Sequence, residues 1–192
     1  MRICVFCGSN TGRGEIYMQA AFELGELIAE RGYGVVYGGA RDGTMGAVAN
    51  GAMAKGGEAI GVLPRQLFEL EQAHPSLTKL HVVDSMHERK QIMHDLSDAF
   101  ICMPGGIGTM EETFEVWTWT QLGVHRKPLA FYNVNGFYDA LERFFDVMVE
   151  EGFVRSVHRQ MALTGDEPGA LIEGLMSYEP PQVKKWLTPD ER

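Results

Sequence analysis

Apolar residues follow two alternating rhythms along the chain. Nearly unbroken apolar runs at 2–7, 33–37, 58–63, 80–83, 99–103 and 128–132 read as buried strands. Between them, apolar positions return every three or four residues, the period of a helix with one buried face. These helical stretches are 15–31, about 44–55, 85–96, 109 to about 122, and 137–151. The first carries Ile16, Ala20, Leu24, Leu27 and Ile28 on one face, and Gly32 stops it. The segment 65–79 is expected as a short helix and loop over a sheet edge. A strand at 160–163 and a helix at 168–176 close the pattern. Strands alternating with helices predict an α/β fold, a doubly wound parallel sheet flanked by helices. No repeat, linker or low-complexity stretch interrupts it, so 1–178 is expected as one domain and the Pro-rich, charged residues 179–192 as a tail.

Glycine concentrates where strands hand over to helices. Residues 100–112 run from a buried strand through Pro104-Gly105-Gly106-Ile107-Gly108 into a helix beginning Thr109-Met110-Glu111-Glu112. Gly105, Gly106 and Gly108 carry no Cβ, so they can reach positive φ and let a ligand approach the backbone. The helix start turns unpaired N–H groups toward that ligand, an anion site suited to phosphate. Thr109 is expected to cap the helix or to add its hydroxyl to the anion. Glu112 completes a capping-box pattern with Thr109, or reaches a sugar beside the phosphate. A second glycine loop, Gly38-Gly39 to Gly46, leads into the helix at 44–55. Gly8-Ser9-Asn10-Thr11-Gly12 follows the first strand, at the edge where open α/β sheets bind ligands.

Helix 85–96 places Met86, Arg89, Lys90 and Met93 at i, i+3, i+4 and i+7, on one face. Two cations inside a methionine stripe fit a pocket wall, where methionine packs on a flat base and the cations meet an anion; the alternative is that they snorkel outward from a core helix. Helix 109–122 carries Phe114, Val116, Trp117, Trp119 and Leu122 most of the way round. One face can cover the sheet. The other is expected to meet a second copy in a homodimer, unless it is buried within the monomer.

Charge and composition narrow the chemistry. The 192-residue chain has a formal net charge of −9, which argues against non-specific nucleic-acid binding and against anionic membranes. A phosphate ligand then depends on local cations beside the glycine loops. The three cysteines fall in core strands, and Cys4-x-x-Cys7 runs along a strand rather than opening a helix, so it reads as structural. With no apolar run long enough for a signal-peptide core or a membrane span, a cytoplasmic protein is expected. The histidines are scattered, and His87-Glu88 lacks a second histidine at zincin spacing, so no metal site is expected. There is no Gly-x-Ser-x-Gly elbow and no Gly-Lys-Ser/Thr phosphate loop. A phosphate cradle, two cations and a nearby acid leave a short menu, one item of which is cleavage at the anomeric carbon of a nucleotide. A carboxylate there stabilises an oxocarbenium-like state and orients water. Arg89 suits the leaving base electrostatically but is a poor proton donor.

Pro104-Gly105-Gly106-Ile107-Gly108-Thr109-Met110-Glu111-Glu112 resembles the PGGxGTxxE signature of the LONELY GUY (LOG) family, and Ser85-Met86-His87-Glu88-Arg89-Lys90 resembles its Arg-Lys motif on the preceding helix. The likeness runs from Cys7-Gly8-Ser9 through Gly38-Gly39 to about residue 150. It implies a Rossmann-like fold, a homodimer, and a cytokinin riboside 5′-monophosphate phosphoribohydrolase that splits AMP or an N6-modified AMP into base and ribose 5-phosphate without a cofactor. By this resemblance Arg89 and Glu112 are catalytic. Ser9, Gly39, Met86, Lys90, Gly105, Gly106, Gly108 and Thr109 bind the nucleotide. Ala40 stands where a third glycine is common and Thr44 where leucine is usual. Members are often labelled lysine decarboxylases, a chemistry that typically needs a pyridoxal phosphate on a lysine. The alternatives are a carrier of a nucleotide or phosphorylated cofactor such as molybdenum cofactor, and, more weakly, a flavodoxin-like electron carrier.

Overall fold

A computed structural model describes residues 1–68 and 72–181. Its elements are β1 (Arg2–Phe6), α1 (Ile16–Glu30), β2 (Gly34–Tyr37), α2 (Gly43–Ala54), β3 (Ala59–Pro64), β4 (Lys79–Val83), α3 (Met86–Leu96), β5 (Ala99–Cys102), α4 (Ile107–Gln121), β6 (Leu129–Tyr132), α5 (Asp139–Glu150), α6 (Ser156–Arg159), β7 (Ala162–Gly165) and α7 (Pro168–Met176). The strands form one sheet in the order β4-β3-β2-β1-β5-β6-β7, and every pairing is parallel. The chain winds outward from β1 to β4, then crosses back and winds the other way from β5 to β7. The order therefore reverses between β1 and β5. At such a switch point the two following loops diverge and leave a crevice at the carboxyl ends of the strands.

Alternate residues of each strand face opposite layers. Ile3, Val5 and Cys7 pack with α1, α2 and α7, while Cys4 and Phe6 pack with α3, α4 and α5. Both sheet faces are thus covered, which is why the strands read as apolar runs rather than as alternations. Helices α1 and α2 meet backbone to backbone. A Cβ on Gly25 would lie 2.1 Å from the Val48 carbonyl oxygen, and one on Gly51 1.9 Å from that of Phe22.

β7 sits two residues later than the 160–163 expected from the sequence. Pro64 belongs to β3, where it pairs with Val83. α4 begins at Ile107 because Gly106 is its N-cap, so Thr109 lies inside the helix. The 65–79 segment opens with a single 3-10 turn at Arg65–Leu67; residues 69–71, and the proposed tail beyond 181, lie outside the described residues. The cysteines are free and buried, and burial raises all three thiols, Cys102 to about 12, which keeps them protonated and unreactive. Among the described residues no helix is long and apolar enough to cross a membrane.

The α1–α2 contact gives a direct test. Gly51→Ala drives a methyl group into the backbone of α1, which cannot swing aside as a side chain would, so unfolding stability should fall by about 2 kcal/mol or more. Urea unfolding should show a lower midpoint with an unchanged slope; an unshifted midpoint would contradict the contact.

Candidate active site

The crevice between β1 and β5 is a cleft of about 460 Å³. Its floor and rims come from the loop 8–12 after β1, from Pro104, Gly105, Gly106, Gly108 and Thr109 after β5, and from Thr44 and Met45 of α2. Met86 and Arg89 of α3, Glu112 of α4, and Cys7, Tyr17, Leu67 and Phe137 complete the walls.

The loop after β5 is held from beneath. Met103 N–H donates to the Phe6 carbonyl at 2.9 Å, and the Tyr138 hydroxyl donates to the Met103 carbonyl at 2.6 Å. The first bond within α4 runs from Met110 N–H to the Gly106 carbonyl. The N–H groups of Ile107, Gly108 and Thr109 precede it and have no intrahelical acceptor. None of Gly105, Gly106 and Gly108 uses the positive φ open to glycine. Their role is space. A Cβ on Gly105 would sit 2.2 Å from the Thr109 hydroxyl oxygen, and one on Gly106 or Gly108 would project into open volume. A helix start with exposed N–H groups and no side chains above it accepts an anion.

The loop after β2 braces the loop after β1. The Thr44 hydroxyl accepts from Gly8 N–H at 2.9 Å and donates to the Gly8 carbonyl at 3.1 Å. Met45 N–H donates to the same carbonyl at 3.2 Å. Gly43, at φ +63°, has no room for a Cβ, which would lie 2.4 Å from the carbonyl carbon of Ser9. Ser9 itself is exposed on the cleft. A leucine at position 44 has no hydroxyl to make this clamp, so the departure seen in the sequence has a structural use. Ala40 is fully buried and pairs by a β-bridge with Ala73.

α3 brings in the cation. Its N-cap, Ser85, accepts from Glu88 N–H at 3.1 Å, and the Glu88 carboxylate accepts from Asp84 N–H at 2.9 Å. Arg89, one turn in, is buried rather than snorkelling: its side chain is 6% exposed. Nε donates to the Val62 carbonyl at 3.1 Å, Nη2 donates to the Gly38 carbonyl at 3.2 Å, and Nη1 lies 3.5 Å from Oε1 of Glu112. Glu112 is 8% exposed and lines the cleft. It is not a cap, since the N-cap of α4 is Gly106, six residues earlier.

Lys90 turns elsewhere. Its ammonium donates to Glu111 and Glu115 of α4. Desolvation pulls its pKa down, but the two carboxylates outweigh this and hold it above the usual lysine range. Lys90 and Gly39 are not among the residues lining the cleft; Gly39, at φ +84°, packs against Leu63 and Leu80. Of the expected site residues, the structure thus gathers Ser9, Met86, Arg89, Gly105, Gly106, Gly108, Thr109 and Glu112. Tyr17, Phe137, Leu67, Met45 and Thr44 were missed. Tyr17 and Phe137 meet edge to face, centroids 5.9 Å apart, a contact between distant segments that no local pattern announces. Among the described residues no group of three or more His, Cys, Asp or Glu is placed to hold a metal.

Residues 45–175 match the family model described as "Possible lysine decarboxylase". The cytokinin riboside 5′-monophosphate phosphoribohydrolase LOG of Oryza sativa subsp. japonica is 44% identical, over 93% of this chain and 74% of its own length. LOG7 of Arabidopsis thaliana, with the same described activity, is 42% identical over 93% and 82%. The chain belongs to the LOG family. Solved structures add the fold: the molybdenum cofactor binding protein of Rippkaea orientalis superposes with a TM-score of 0.70 at 23% identity, covering 92% of this chain and 95% of that one. The molybdenum cofactor carrier protein of Chlamydomonas reinhardtii does so with a TM-score of 0.68 at 20% identity, covering 92% and 98%. The decarboxylase description of the LOG family model finds no support in the cleft. Among the described residues no lysine lines it, so a pyridoxal phosphate has no Schiff-base partner there.

Proposed function

We infer that this chain is a nucleoside 5′-monophosphate phosphoribohydrolase, cleaving the N-glycosidic bond of AMP or N6-modified AMP to give free base and ribose 5-phosphate. The observation that carries this reading is a buried carboxylate, Glu112, that lies 3.5 Å from a guanidinium and lines the same cleft as a bare helix N-terminus. The phosphate sits on the N–H groups at 107–109, with the Thr109 hydroxyl and Ser9 beside it. The ribose then lies along the second turn of α4, against Glu112. Met86, Met45 and Leu67 offer apolar contact to the base.

In the reaction the bond from the anomeric carbon to the base nitrogen breaks, and its electron pair leaves with the base. Positive charge builds on the anomeric carbon and ring oxygen. Glu112 stabilises that charge and orients the water whose oxygen bonds to the anomeric carbon. The water's proton is lost and the base gains one. Arg89 is not the donor of that proton, because two of its nitrogens are engaged by backbone carbonyls and the third faces Glu112. A pure carrier of phosphorylated cofactor needs no buried acid beside the sugar, so the carrier alternative rests on fold likeness alone. The net charge of −9 opposes a nucleic-acid substrate, and three protonated thiols suit the reducing cytoplasm.

Self-association belongs to the same proposal, on a wider surface than α4. Val116 and Trp117 are buried within the monomer. An apolar groove between α4 and α5, lined by Phe114, Trp117, Phe145 and Met148, remains open. Phe144, Val147 and Phe153 beside it are exposed. Apolar area of this kind favours a second copy in a homodimer.

Two outcomes are expected. Glu112→Gln should lower kcat for AMP by about a thousandfold while KM changes little, and adenosine should react at least about a hundredfold worse than AMP in kcat/KM, because the phosphate's binding energy positions the sugar. Near-normal turnover in Glu112→Gln, read by chromatography of released base, would overturn the mechanism. Phe144→Asp combined with Val147→Asp should convert a sedimenting dimer into a monomer; an unchanged sedimentation coefficient would remove this face as the interface.

A further inference from the structure

The glycine pair after β2 contains two residues that are glycine for different reasons. Gly39 sits at φ +84°, where a side chain is strained whatever the space around it. Gly38 lies outside that region, so its backbone does not call for glycine. What excludes a side chain there is the arginine. A Cβ on Gly38 would lie 2.0 Å from Nη2 and 3.2 Å from Cζ of Arg89; its other close neighbour is Sδ of Met45 at 2.7 Å. The guanidinium therefore occupies the volume that any other residue at position 38 would fill, and it donates to the carbonyl of that same residue.

We propose that Gly38 is a positioning residue for the hydrolytic reaction: it forms a slot at the carboxyl end of β2 that sets the orientation of Arg89, and through Arg89 that of the Glu112 carboxylate. The slot has three fixed points. The Val62 carbonyl within β3 takes Nε, the Gly38 carbonyl takes Nη2, and the missing side chain lets the flat guanidinium lie close over the backbone. With Nε and Nη2 held by the sheet, Nη1 has one orientation, and it faces Oε1 of Glu112. The guanidinium is planar and rigid, so shifting Nη2 by the ångström or more that a methyl group demands also shifts Nη1. A displacement of that size at the reacting group is enough to cost about a hundredfold in rate. Arg89 then serves less to meet the leaving base than to carry the sheet's geometry across to α4.

The inference rests on the phosphoribohydrolase reading for its kinetic arm only. Alanine suits the test because both atoms nearest its methyl group end flexible side chains, so Gly38→Ala folds with Arg89 displaced. For Gly38→Ala, kcat for AMP should fall at least about thirtyfold while KM stays within about threefold. The second arm is a thermal-melting cycle of Gly38→Ala in the parent and in Arg89→Met. Methionine ends short of the guanidinium position, and the Met45 contact is present in both backgrounds and cancels. The drop in melting midpoint caused by Gly38→Ala should therefore shrink to less than half in Arg89→Met. A kcat within twofold of the parent, a loss carried by KM, or equal melting shifts in both backgrounds would overturn the proposal. If the parent releases no base from AMP, the reaction reading fails by itself, and the melting cycle still decides whether Gly38 and Arg89 are coupled.

Discussion

The interaction on which the site depends is the burial of one guanidinium at the carboxyl edge of the sheet. Taking a permanent cation out of water costs several kcal/mol unless its donors are satisfied and a counter-charge is near. Arg89 meets both conditions through two backbone carbonyls and one carboxylate. Those three partners belong to β3, the turn after β2, and α4. Removing any one leaves a buried charge or a buried carbonyl unsatisfied, so their relative positions are held together by more than packing. Glu112, itself buried, gains its orientation from the same arrangement.

The remaining parts of the cleft follow from topology. The strand order reverses between β1 and β5, so the loops leaving these strands part at the centre of the sheet. Each is then tied down by a neighbour. Thr44 grips Gly8 from α2, and Tyr138 supports Met103. What lies between is a cleft lined by a glycine-bare helix start and, further along the same helix, a buried acid.

Much of this was legible in the sequence, and the rest failed for identifiable reasons. Apolar runs alternating with helical periodicity gave the sheet and its flanking helices, because both faces of every central strand are buried. The glycine loop at 104–108 and the acid at 112 could be placed at one sheet edge, and they line one cleft; phosphate and sugar as their ligands belong to the proposal. Ser85–Glu88 and Thr109–Glu112 share the same Ser/Thr-x-x-Glu spacing, however, and local sequence cannot tell them apart. The first is a true cap. The second is not, because α4 has its N-cap earlier, at Gly106, which carries both residues into the cleft wall. Arg89 and Lys90 present a similar ambiguity: adjacent on α3, both on the apolar side, they are separated only by what faces each, backbone carbonyls for one and the Glu111–Glu115 pair for the other. Gly39 is glycine for its dihedral and Gly38 for its neighbour, a distinction only the folded structure makes. Tyr17 and Phe137 meet across more than half the chain.

The central claim is that the start of α4 holds the phosphate while Glu112, held by Arg89, meets the sugar. A crystal structure of the Glu112→Gln variant soaked with AMP tests it most directly. The account predicts phosphate oxygens within hydrogen-bonding distance of the N–H groups of residues 107–109, about 2.7–3.2 Å, and the anomeric carbon beside the side chain of residue 112. Phosphate bound instead at Lys90, or a nucleotide lying in the cleft with its ribose away from residue 112, would contradict it.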